Sequence, residues 1–300
     1  MRAMSVRSVL GVAALSAIFW ACGSDGSSSS SAGDGGLLPD GARASGSGGG
    51  GGGGGGSGGS QPGGLITVWQ STSSGGGNTG YDGATSAVFS DGATLAEANG
   101  CRVTTAGACS ISICDKTDGG IATGSLRSAG NIQVMGTATP ASLSPKADKS
   151  YETFHAQSTN VPFLAPGAEL DFKATGADVP AFSGKVKVGG SVQVTSPQIS
   201  LFGSPLPKDR DAVFAWTGAG DGDTVQILFT ANAATDGAKT ATVTCSYTGS
   251  SGVVPKAALD ALASPGGIAV GTANTTKVTA GDYTVAVTAW LPSSAGLFTK

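Results

Sequence analysis

Ala241-Thr-Val-Thr-Cys-Ser-Tyr247 alternates strictly: Val243, Cys245 and Tyr247 point one way, and Thr242, Thr244 and Ser246 the other. A period of two is that of a β-strand with one buried face. Working outward, Thr224-Val-Gln-Ile-Leu-Phe-Thr230 is more apolar and predicts a central strand. Ala168-Glu-Leu-Asp-Phe-Lys-Ala-Thr175 sets Leu170 and Phe172 against Glu169, Asp171 and Lys173, and Lys185-Val-Lys-Val188 alternates equally cleanly. Tyr283-Thr-Val-Ala-Val-Thr-Ala-Trp290 closes the pattern. Further candidate strands are 65–70, 86–90, 100–104, 109–114, 131–136, 150–157, 192–195 and 212–217. Strands at roughly 10–15-residue spacing, separated by Gly, Pro, Asp and Asn, predict an all-β, disulfide-containing β-sandwich, Ig-like or elaborated. One short helix is expected, with Pro255 as its first residue, running through Ala263 and stopped by Ser264-Pro-Gly-Gly267.

The folded region expected from this pattern is 65–300. No repeat relates its halves, so one elaborated sandwich and two Ig-like units with a seam near Val179-Pro180 stand as alternatives. Charged residues make up 12% of the 300-residue chain and the net charge is −3, which excludes a broad electrostatic nucleic-acid footprint.

Four cysteines fall in this region: Cys101, Cys109, Cys114 and Cys245. An even count in an exported chain reads as two disulfides. Thr105-Ala106-Gly107 fits a three-residue hairpin loop with Gly107 in the left-handed position. That register puts Cys101 and Val103 on the face of Cys109, Ile111 and Ile113, with Cys114 on the other face or at the strand end. Two pairings stay open: Cys101–Cys109 with Cys114–Cys245, or Cys101–Cys114 with Cys109–Cys245. Zinc would need CxxC-like pairs or added histidines, which the spacings do not supply, so no metal is expected there.

No catalytic residue is expected. The sole histidine, His155, sits in a predicted strand, and no Gly-x-Ser-x-Gly elbow exists for a serine nucleophile. Gly220-Asp-Gly-Asp223 lacks the spacing of a calcium loop and reads as a tight turn between strands. The acids (Asp82, Asp91, Asp178, Asp209, Asp211, Asp236) lie mostly at turns, and nothing singles out a pair for acid–base work. Phe214 and Trp216 share a face and are expected in the core. Trp290 lies opposite Val285 and Val287 by parity. It is the candidate ligand-binding residue, as an outward indole able to stack on a sugar ring, unless both faces of its strand are buried.

At the N-terminus, Arg2 and Arg7 precede an apolar run from Val9 to Trp20. That run is about a dozen residues, the length of a signal-peptide core, where a membrane-spanning helix needs roughly twenty. A conventional cut after Ala21 would place bulky Phe19 three residues upstream. Phe19-Trp20-Ala21-Cys22 instead resembles a bacterial lipoprotein signal, although that family prefers Leu and a small residue where Phe19 and Trp20 stand. The resemblance implies a signal peptide over 1–21, acylation of Cys22 on its thiol and its new amino group, and, with Gly23 rather than Asp following, the outer membrane. Residues 22–64 then comprise the lipidated cysteine and a disordered linker of almost nothing but Gly, Ser, Asp, Ala and Pro. Its r.m.s. span is roughly 35–40 Å and its extended reach about 140 Å.

Gly100-Cys…Gly107-Ala-Cys…Cys114, Ser128-Ala-Gly-Asn-Ile-Gln-Val134, Asp178-Val-Pro-Ala-Phe-Ser183 and Phe214-Ala-Trp-Thr217 resemble predicted myxobacterial lipoproteins with Gly/Ser tethers. That family carries no assigned activity. The resulting expectation is a lipid-anchored envelope protein, without cofactor, whose sandwich presents a binding or structural surface. Its partners are the membrane, through the anchor, and a glycan, protein or matrix polymer, and not nucleic acid. An envelope hydrolase of unrecognised type and a carbohydrate-binding module are the alternatives.

Overall fold

The structure, a computed structural model, describes residues 62–75, 78–91, 101–115, 126–157 and 161–300. The expected signal peptide, Cys22 and nearly all of the 22–64 linker lie outside the described residues.

The fold is an all-β sandwich with one short helix. The elements in chain order are β1 (Gly63–Gly75), β2 (Asn78–Ser90), β3 (Arg102–Ala106), β4 (Cys109–Asp115), β5 (Ile132–Met135), β6 (Ala141–Leu143), β7 (Tyr151–Gln157), β8 (Glu169–Ala174) and β9 (Phe182–Lys187). They continue with β10 (Gln193–Ser196), β11 (Ser204–Pro205), β12 (Ala212–Thr217), β13 (Val225–Asn232), β14 (Lys239–Tyr247), β15 (Ser251–Val254), α1 (Lys256–Asp260), β16 (Gly266–Ala280) and β17 (Tyr283–Thr299). A long sheet runs β3-β4-β14-β13-β16-β17-β1-β2-β7, with β11 added beside β17. Two smaller sheets, β10-β12-β15 and β6-β5-β8-β9, complete the layers.

Both small sheets cover the same side of the long one, in succession. Facing residues of paired strands share a side, so the even positions of β16 decide this. Ile268 and Val270 enter one core, with Phe214, Trp216, Phe229, Val243 and Phe298. Further along the same strand, Ala280 enters another, with Ile66, Phe89, Phe172, Phe182 and Val287. Aromatic contacts tie the layers, Phe229 meeting Phe214 at 6.0 Å and Phe89 meeting Phe182 at 5.9 Å, and within the long sheet Phe229 meets Phe298 at 5.6 Å. Such pairs contribute about 0.5–1.5 kcal/mol each beyond the area they bury. One long hairpin, β16–β17, therefore serves both cores, and the alternative of two separate Ig-like units does not describe this fold. The chain passes between cores at Gly189-Gly190, with Val188 in the first and Val192 in the second. The expected seam at Val179-Pro180 lies inside the first core, where Val179 is fully buried and its N–H donates to the Ser128 carbonyl at 2.9 Å.

The hairpin is bent where it changes cores. Pro292 pairs with Gly271 but Ser294 pairs with Val270, so Ser293 is an extra residue, a β-bulge. A Cβ on Gly271 would lie 2.2 Å from the Leu291 carbonyl oxygen, so only glycine fits the bend.

The expected helix is shorter than its pattern. Pro255 is the N-cap rather than the first helical residue, and the helix ends at Asp260. Beyond it, Ala261 O accepts from Ala234 N at 2.9 Å and Ala263 N donates to Asn232 O at 2.7 Å. The end of β13 thus takes the backbone groups that further turns would need. Gly266-Gly267, expected as part of a helix stop, open β16 instead.

Candidate functional site

The cysteines come together through strand register. β3 and β4 are joined by the two-residue turn Gly107-Ala108, with Ala106 facing Cys109. Gly107 has φ +56°, the first central position of a type II′ turn. The expected three-residue loop is corrected by one step, and one step flips every side chain. Arg102, Thr104 and Ala106 share the side of Cys109, Ile111 and Ile113, whereas Cys101 lies on the side of Cys114. The structure accordingly bonds Cys101 to Cys114 and Cys109 to Cys245, and the other pairing is excluded. Each bridge joins facing residues, with Cα–Cα distances of 4.1 and 4.0 Å, the close spacing of non-hydrogen-bonded pairs. Cys109–Cys245 is buried in the second core under Tyr247, whose hydroxyl lies 3.7 Å from Cys109 Sγ and donates to Val253 O at 2.7 Å. Burial pushes the Tyr247 phenol up to about 12. Two disulfides place the folded region in an oxidising, extracytoplasmic compartment. No helix among the described residues is long and apolar enough to cross a membrane.

Trp290 is not an outward platform. Its indole is 0% exposed and packs with Trp69, Ala84 and Ala273 in a third cluster on the far side of the long sheet. Ala273, Trp290, Trp69, Ala84 and the half-exposed Phe154 occupy one continuous row across five strands. Parity correctly set Trp290 opposite Val285 and Val287; both faces of β17 are buried there, so the indole offers no surface to a sugar. Phe214 and Trp216 lie in the second core, as expected.

His155 lies on the edge strand β7 and faces inward opposite Gly83. Its ring stacks on Phe163 at 5.0 Å, 17° from parallel, and its Nε2 is buried without a hydrogen-bond partner. Desolvation lowers its pKa. Asp223 is buried in the turn after β12. Its Oδ2 accepts from Gly190 N at 2.7 Å and Gly220 N at 2.8 Å, and its Oδ1 accepts from Asn274 Nδ2 at 2.9 Å. Burial pushes this carboxyl up, but the three hydrogen bonds outweigh it and hold the pKa below the ordinary value. The Asp-Gly sequence is therefore a turn, and its buried carboxylate fastens the passage between cores to β16. Among the described residues, no three of His, Cys, Asp and Glu lie close enough to hold a metal ion.

The densest polar cluster was missed in the sequence because its members are far apart along the chain. Asp91 accepts from Tyr283 Oη and pairs with Arg127, and Asp178 accepts from Ser128 N at 2.9 Å and Lys149 Nζ at 2.8 Å. The bond from Tyr283, then that from Arg127, lowers the Asp91 pKa. Burial and Asp91 push Tyr283 up to about 12. Every charged group here is exposed and already paired, an arrangement that fixes loops at the first-core end of the sandwich.

No protein-family model matches the chain, and no curated protein matches it. A solved structure described as "Structural insight into host cell surface retention of a 1.5-MDa bacterial ice-binding adhesin" aligns over 80% of this chain and 87% of its own, at 15% identity and a TM-score of 0.17. A likeness that weak carries no argument about fold or function.

Proposed function

We propose that this chain is a lipid-anchored envelope protein whose non-catalytic sandwich is held at the outer membrane as a binding or structural body, of the kind seen in the myxobacterial lipoproteins it resembles. The observation that carries the proposal is cysteine use. Four of the five cysteines are consumed in two disulfides, which leaves Cys22, at the end of a signal-like stretch, for acylation. Two or more acyl chains give stable anchoring where one does not. The geometry supports display. The chain enters the sandwich beside Thr284, whose N–H donates to Pro62 O at 3.2 Å, so the linker joins one end of β17. The other end of that strand, at Thr299, lies about 50 Å away at ~3.3 Å per residue. A glycan, protein or matrix polymer remains the proposed class of partner, contacted through a surface other than Trp290.

The test is metabolic labelling with a palmitate analogue in an envelope-bearing bacterial host. Wild type should incorporate label and fractionate with membranes, and Cys22→Ser should do neither. Unlabelled wild type, together with a Cys22→Ser variant that stays membrane-bound, would overturn the proposal.

A further inference from the structure

Beside β17, near its Thr299 end, lies an apolar turn. Between β10 and β11 the chain turns through Ser200-Leu-Phe-Gly203, and Phe202 is 99% and Leu201 68% exposed. Leu297 of β17, 45% exposed, lies beside them, because Ser200 pairs with Leu297 in an isolated bridge. Exposed Phe and Leu at a single loop tip contribute nothing to the cores and call for another role.

The tip is built rather than frayed. Ser200 O accepts from Leu297 N at 3.0 Å and Gly203 N at 3.3 Å. Ser200 Oγ accepts from Phe202 N at 3.1 Å, and the fully buried Ser204 accepts from Ser200 N at 2.9 Å. The backbone donors of Ser200, Phe202 and Gly203 are thus satisfied within the loop and lose little on leaving water. No charged residue occurs in 193–207, and β17 has none along its length. Charges resume just beyond this stretch, with Lys208, Asp209, Arg210 and Asp211 in the loop after β11 and Lys300 directly after β17. Lys208 and Lys256 each lie near enough to Lys300 to repel it, and Lys256 is paired with Asp260. Long cationic side chains beside an apolar turn can reach phosphates while the apolar side chains enter below them.

We propose that Leu201, Phe202 and Leu297 insert into the surface of a phospholipid bilayer, giving this protein a membrane contact near the Thr299 end of β17, away from the end that meets Pro62. The chemistry favours lipid over a protein groove. Three protruding side chains are enough to enter a bilayer interface, whereas a stable protein interface takes roughly 20–30 residues a side. The contact does not rest on acylation. A linker with an extended reach of about 140 Å nevertheless allows anchor and tip to engage one membrane together.

Every residue of the three clusters lies between 66 and 298, so a chain starting at Gly23 contains the whole fold and lacks both the N-terminal apolar stretch and Cys22. That chain should co-sediment with vesicles of phosphatidylcholine and phosphatidylglycerol, and Leu201→Ser/Phe202→Ser should weaken binding at least tenfold with an unchanged circular dichroism spectrum. In a Phe202→Trp variant, brominated lipids should quench the added emission. The proposal fails if the parent chain does not sediment or if the double variant binds as well as the parent. It fails equally if the added emission responds only to protein concentration, which would make the tip a contact between copies. Because no acyl chain is present, each of these results is separate from the palmitate experiment.

Discussion

The two disulfides differ sharply in what they hold, and removing them one at a time measures the difference. In the loop-closure description a cross-link stabilises by restricting the unfolded chain, and the effect grows with the logarithm of the loop. Cys109–Cys245 closes 136 residues, which gives about 5 kcal/mol at 25 °C; Cys101–Cys114 closes 13 and gives about 3 kcal/mol. The local bridge does not shorten the long loop, because Cys101 lies upstream of Cys109 and offers no shorter path. Packing widens the gap: Cys109 and Cys245 are buried in the second core, whereas Cys101 and Cys114 are half-buried. Cys109→Ala/Cys245→Ala should therefore cost at least about 2 kcal/mol more than Cys101→Ala/Cys114→Ala. Against a total of ~5–15 kcal/mol for a typical domain, the long bridge decides whether the fold survives. Urea titration followed by tryptophan emission, fitted for both free energy and m-value, reads both losses. Equal losses, or a larger loss for the local pair, would refute the assignment of Cys109–Cys245 as the tie between the β3–β4 hairpin and β14.

Two further predictions concern the cores. Asp223→Asn replaces one accepting oxygen with a donor-only NH2, which faces Gly190 N and Gly220 N in one orientation and Asn274 Nδ2 in the other, leaving a buried donor unpaired at about 1–3 kcal/mol; the native carboxyl's lowered pKa further means its contribution is present above pH ~4 and lost as pH falls through the folded value, so the variant should be flatter than wild type in acid denaturation. His155 has a pKa lowered by burial, so the unfolded chain takes up the proton first and stability falls as pH drops from about 6.5 towards the folded value, then levels off; His155→Phe, which keeps the stack on Phe163, should remove that slope, and an unchanged slope would locate the titrating group elsewhere.

Strands with one clean face were legible. β12 matches its expected residues, and β8 buries Leu170, Phe172 and Ala174 while Glu169, Asp171 and Lys173 stay at least partly in water. The pairing of cysteines was legible only as two alternatives, because it turned on whether Gly107 was the last residue of a three-residue loop or the first of a two-residue turn. Composition favours neither, and the choice reverses every face of β3. Trp290 shows the limit of parity: alternation says which side a residue takes, not whether that side is covered. β6, β11 and β15 are two to four residues long, too short to show a period. Leu201-Phe202 did leave a signal, two large apolar residues in a turn otherwise made of Ser, Gly and Pro.

The one long strand missed altogether, β16, is the one that unites the molecule, and both facts have one cause. Its ends carry core residues, Ile268 and Val270 at one and Val278 and Ala280 at the other, in the period expected of a strand. Its middle, Gly271-Thr-Ala-Asn-Thr-Thr276, reads as loop because on its inner side it meets a loop and not a sheet. There Thr272 Oγ1 donates to Gly190 O at 2.9 Å, and a Cβ on Gly189 would lie 2.5 Å from the Thr272 side chain. Asn274 donates to Asp223 and accepts from Thr224 N at 3.0 Å. Large apolar side chains at these positions would displace the passage between the cores and leave its polar groups buried and unpaired. A strand that spans two cores must become small and polar where it crosses between them. That composition hides it from any reading by hydrophobic period, and it is also what lets the passage at Gly189-Gly190 and the turn at Asp223 lock onto it.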